Sequence, residues 1–169
     1  MSLTVSNVPR WAVWAGHTAA LVALPSSLWR IGLALGHPLG YTQQGLHDLV
    51  GTDQWGPVYL VALSVLAEIA AILTLALIHP WGEVVPRWVP RLGGTTIPTK
   101  AVLIPAWTAV AIHTLLWTQL LFWWTIPHPG MTEQGRLLVG LLYMPLIAWA
   151  PLMAATTIAY QRRRRTQTT

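Results

Sequence analysis

The chain has 169 residues, 54% of them hydrophobic and only 9% charged, with a formal net charge of +5 and no cysteine. A soluble domain carries about a quarter charged residues, so this composition belongs in lipid. The missing cysteine excludes disulfides, thiolate nucleophiles, redox dithiols and thiolate-bound metals. The length suits a single domain over residues 1–169. Four of the ten basic residues form the run Arg162 to Arg165 behind an apolar segment. That placement serves topology and attraction to anionic lipid rather than nucleic acid.

In chain order, residues 1–10 are polar and expected to fray. The spacing predicts a first helix over 11–36. It is too long for a signal-peptide core and carries Arg30, so it stays in the mature chain. Pro25 lacks a backbone N–H and kinks it, with Ser26 and Ser27 placed to satisfy freed carbonyls. Residues 37–55 read as a loop with the acids Asp48 and Asp53 and no Lys or Arg. A second helix over 57–79 is about 23 residues long, close to the thickness of a hydrocarbon core, and Glu68 is its only charge.

The loop over 80–99 holds Arg87, Arg91 and four prolines, which make it semi-rigid. Its Trp81 and Trp88 suit a membrane surface. Helix 3 is predicted over 101–126 and helix 4 over 137–160, the latter kinked at Pro145 and Pro151. Residues 161–169 form a basic tail. Three helices stop at His-Pro (His37, His79, His128), where His suits a helix C-terminus and Pro ends it. Many of the eleven Trp lie near helix ends, as interfacial anchors do. The fold expected is all-α, a membrane-embedded bundle of four transmembrane helices.

With four spans, Arg10, Arg87, Arg91, Lys100 and Arg162 to Arg165 share one side, against Arg136 alone on the other. The positive-inside rule then places both termini and the loop over 80–99 in the cytoplasm of a cell-membrane protein.

Depths counted from the helix ends place Arg30 in the outer third and Glu68 and His113 near the midplane. Ser64, Gln119 and Tyr143 fall in the outer half. Small residues recurring at three and four turn the faces of Arg30 and Glu68 towards other helices. Their depths differ by about 8 Å, which long side chains can close, so a Glu68–Arg30 ion pair is expected.

That pair has two readings: a lock that fixes helix register, or the heart of an outward-facing polar cavity for a small molecule or ion. In the second, Glu68 responds to protons or cations, Arg30 anchors an anion, and His113, Tyr143 and Gln119 line the site. An alternative is a non-catalytic membrane subunit, sensor or assembly factor. It acts through Trp81, Arg87, Trp88 and Arg91, which meet anionic headgroups, a membrane-protein partner or a second copy.

His37, His47, Asp48, His128 and Glu133 share the outer side without metal-ligand spacing, so no metal and no cofactor is expected. No nucleophile–base pair points to an enzyme. Nor do the four helices show the repeat that many transporters carry.

The run Pro80-Trp81-Gly82-Glu83-Val84-Val85-Pro86-Arg87-Trp88-Val89-Pro90, with Leu24-Pro25-Ser26-Ser27-Leu28-Trp29-Arg30 and Trp55-Gly56-Pro57-Val58-Tyr59, resembles small multi-pass membrane proteins of actinobacteria. The likeness spans most of the apolar region. It implies a plasma-membrane protein and brings no activity with it. The Trp-rich composition is also similar to that of the tryptophan-rich translocator family, but that family's motifs are missing and four spans is one too few.

Overall fold

The computed structural model describes residues 8–51 and 55–166; Asp53, most of the N-terminal segment and the end of the basic tail lie outside that range. Among the described residues the structure is all-α, with helices α1 (Arg10–Leu21), α2 (Leu24–Ala34), α3 (Gln43–Val50), α4 (Trp55–Thr74), α5 (Thr99–Thr118), α6 (Glu133–Tyr143) and α7 (Trp149–Thr166). Tighter 3₁₀ turns extend α4 to Leu77 and α5 to Thr125, and join α6 to α7.

Three of these runs are long and apolar enough to cross a membrane: Trp55–Leu77, Thr99–Thr125 and Glu133–Thr166. The fourth expected span is not one helix. Pro25 sits in the first turn of α2 and breaks the segment at Val22–Ala23, so α1 and α2 are separate helices. A proline this far into a helix removes one hydrogen bond and crowds the carbonyl four residues back. Ser26 donates to the Ala23 carbonyl at 2.9 Å and satisfies part of the break.

The two pieces still run the length of the bundle alongside α4. Gly16 of α1 meets Ile78, and the His17 and His79 rings lie 5.8 Å apart. At the other end, α2 meets α4 through Arg30 and Ser64. The region expected as a loop over 37–55 contains α3, capped by Thr42, whose side chain accepts from the Gly45 amide at 3.0 Å. His47 and Asp48 therefore lie on a helix. Pro145 gives not a kinked helix but a stretch of 3₁₀ turn, and Pro151 falls in the first turn of α7, where a proline is tolerated.

A short repeat, outside the four expected spans, lies at one end of the bundle. His37-Pro38-Leu39-Gly40-Tyr41-Thr42-Gln43-Gln44-Gly45 and His128-Pro129-Gly130-Met131-Thr132-Glu133-Gln134-Gly135 match with one residue inserted. They are also reciprocal in space. Thr42 N–H donates to the Gly130 carbonyl at 2.8 Å, and Thr132 N–H donates to that of Gly40 at 2.9 Å. Each threonine hydroxyl donates to the same carbonyl, at 3.1 and 3.2 Å, and each caps its own helix. Tyr41 and Met131 form an antiparallel bridge between them.

Only glycine permits this approach. A Cβ on Gly45 would overlap the Gly130 carbonyl, and one on Gly135 would overlap that of Gly40. Gly40 and Gly130 also hold positive φ, 106° and 88°. The clamp thus joins the unit α1–α4 to the unit α5–α7 through the same motif and the same bonds from each side.

Candidate functional site

The polar residues divide into two sites at opposite ends of the bundle. Nearer the clamp, Arg30 is buried, at 8% exposure. Its Nε donates to the Ser64 hydroxyl, one Nη to Tyr143 and the other to Ser27, each at 3.2 Å. Its guanidinium also lies 5.9 Å from the Tyr143 ring centroid. Ser27 is one turn before Arg30 on α2, and Ser64 faces it from α4, so helix periodicity gathers them.

The expected Glu68–Arg30 ion pair is absent. Arg30 is held by hydroxyls from three helices, and the Glu68 Oε1 is buried without a partner. Glu68 borders a groove of about 230 Å³ between α2 and α4, with Leu24, Leu28, Val65 and Ile72, which also takes in Ser27 and Ser64 but not Arg30 itself. Ser64 lies one turn before Glu68 on α4 and meets Arg30 first. The other expected members also disperse. Gln119 is exposed at the end of α5 and makes no side-chain hydrogen bond among the described residues. His113 packs on Trp149, with ring centroids 4.2 Å apart, and lines another cavity. Only Tyr143 joins Arg30.

Beside the clamp, Trp29 donates to the Leu39 carbonyl at 2.9 Å and packs on Tyr41 and Tyr143. Burial, with a smaller contribution from the nearby Tyr143, pushes the Tyr41 hydroxyl up to about 12. Among the described residues no three of His, Asp or Glu converge on a point.

The second site was not foreseen. Glu83, in the loop over 80–99, forms a buried ion pair with Arg163 of α7, whose Nε donates to Oε1 at 2.8 Å and whose Nη2 lies 2.8 Å from the same oxygen. Arg163 also donates to the Leu77 carbonyl at 3.2 Å, and Tyr160 donates to that of Gly82 at 3.0 Å. Arg164 adds bonds to Thr99 and Ile97 and stands 4.0 Å from the second Glu83 oxygen. The basic run is thus not uniformly a headgroup contact: Arg163 is buried, while Arg162 and Arg165 are exposed. Positions 160, 163 and 164 share one helix face, and that face meets the loop.

The loop itself is folded. Val85 N–H donates to Thr95, Gly94 N–H to Val85 and Ile97 N–H to Glu83, all at 2.8–2.9 Å, and Val84 bridges Thr96. Its tip carries exposed Arg87 and Arg91 with Leu92 at 58% exposure and Trp88 at 83%, while Trp81 is half-buried at the base. Of the four loop residues singled out from the sequence, Arg87, Trp88 and Arg91 share the tip and Trp81 does not. Glu83 had one available signal: it is the single acid in an otherwise basic loop.

Comparison with protein-family models, curated proteins and solved structures finds no match to this chain. The class defined by the described residues is all-α, with three helices among them long and apolar enough to span a membrane.

Proposed function

We propose that the chain is a four-span plasma-membrane protein with cytoplasmic termini, and that it works as a non-catalytic membrane subunit. Its loop over 80–99 is the surface that engages a partner protein. The observation that carries this reading is a mostly exposed tryptophan between two exposed arginines on a loop fixed by a buried ion pair. An ordered tip loses little conformational entropy on binding, and Trp and Arg are the residues that most often anchor interfaces. The fourth span is α1 with α2, which together are long enough to cross. The basic residues then gather on the loop's side of the membrane.

The competing reading, an outward polar cavity at Glu68 and Arg30 that binds or moves a small molecule or ion, needs those groups in one cavity. Arg30 is instead bonded to three hydroxyls, and the groove beside Glu68 reaches two of these, Ser27 and Ser64, but not Arg30. The observations favour the loop.

A photoreactive benzoylphenylalanine at position 88 tests this in native membranes. The expected result is one discrete protein adduct, reduced about tenfold or more when Arg87 and Arg91 are both alanine, as loss of two interface anchors would give. Adducts with lipid alone, or a protein adduct indifferent to the arginines, would contradict the subunit reading.

A further inference from the structure

The repeated motif, with a helix-rich segment before and after each copy, supplies an internal comparison. Within each half the helices pack closely, α2 on α4 and α5 on α7, and between halves α1 packs along α7. By position before and after the repeated motif, the counterpart of that last seam is α4 against α5. It is open. A cleft of about 380 Å³ lies between them, walled by Ala70 and Leu73 on one side and Ala101, Ala106 and Ala109 on the other, with Met153 of α7 behind. That volume lies within the range of small-molecule pockets.

His113 is the one polar side chain of this cleft. Its Nδ1 lies 2.7 Å from the Ala109 carbonyl. A carbonyl can only accept, so Nδ1 carries a proton, and in the neutral tautomer that this bond selects, Nε2 is an acceptor. Nε2 has no hydrogen bond among the described residues and is not among the enclosed unpartnered atoms. The Trp149 ring fixes the imidazole's orientation from the other side.

We propose that this cleft is a lateral intramembrane binding site for an elongated apolar molecule bearing a hydroxyl, such as a long-chain or prenyl alcohol, which donates to His113 Nε2. The alanine walls admit the chain, and the imidazole selects the end group. Where the halves match, at the glycine–threonine clamp, the repeat serves the fold; where they differ, at this seam, it leaves room for a ligand.

The test uses the full chain in lipid nanodiscs and two probes, a diazirine-bearing dodecanol and its methyl ether, in which a methyl group replaces the hydroxyl proton. The alcohol is expected to label α4 and α5 saturably, to be competed by plain dodecanol, and to exceed the ether by about fivefold, the discrimination one hydrogen bond gives. His113→Phe is expected to remove that preference, and Ala106→Leu to fill the cleft and remove labelling by both probes. Equal, unsaturable labelling by alcohol and ether on the unaltered protein would overturn the proposal, and needs no variant to fold. So would an unchanged preference in His113→Phe.

Discussion

Glycine 135 exchanged for valine is expected to destabilise the bundle by at least about 3 kcal/mol, the upper range for overpacking a site that cannot yield. The obstacle is backbone: a Cβ there meets the Gly40 carbonyl, which is already fixed by the Thr132 amide and hydroxyl. Gly45→Val is expected to do the same through the Gly130 carbonyl, on the other half of the clamp. Because the two loops hold one another, the double variant should lose little more than either single one. Gly36→Ala is the control. It has positive φ but open space around it, so its cost should stay near 1–2 kcal/mol, that of a left-handed alanine. Unfolding by SDS titration in mixed micelles measures all four; equal losses at Gly36 and Gly135 would show that the clamp holds nothing together.

The second large effect is expected at the other end. Glu83→Gln leaves Arg163 buried without its carboxylate, and Arg163→Met leaves the carboxylate with only Arg164, 4.0 Å from its second oxygen. Breaking a buried pair from one side costs about 3–5 kcal/mol, while replacing both partners is often near neutral. Each single variant should therefore free the loop, and the double variant should recover most of the loss. Hydrogen exchange at the amides of Val85, Gly94 and Ile97, which donate across the loop, is the direct readout. Protection is expected to fall by at least about a hundredfold in either single variant, as 3 kcal/mol implies. Unchanged protection would mean that the loop is held by its own hairpin bonds and not by α7.

These effects were unequally legible in the sequence. Apolar length located α4, α5 and α7, because burial in lipid needs only hydrophobic runs and their punctuation. Pro25 was read correctly as a disturbance, but the residues around it do not say whether the helix bends or breaks. The short α3 was hidden by the Gly and Pro density of residues 36–45, although Thr42 three residues before Gly45 is a capping signal. The Glu68–Arg30 pair failed because opposite charge was weighed above hydroxyls. Ser27 and Ser64 are short, share Arg30's depth, and reach it without the bend that Glu68 would have needed. Arg163 was lost within a run of four identical residues, of which helix geometry turns one inward. The repeated Gly-x-Thr-x-Gln-Gly was present throughout. It straddles the end of a loop and the first residues of α3 and α6, where apolar periodicity gives no sign of it.

The central claim is that the chain crosses the membrane four times, with the loop over 80–99 on the cytoplasmic side and the clamp on the other. The chain has no cysteine of its own, so single cysteines placed at Leu39, Trp88 and His128 can be labelled without background. With a membrane-impermeant maleimide on intact right-side-out vesicles, positions 39 and 128 are predicted to react from outside, and position 88 only after the membrane is opened. Labelling of position 88 from outside, or of 39 and 128 from opposite sides, would contradict the account.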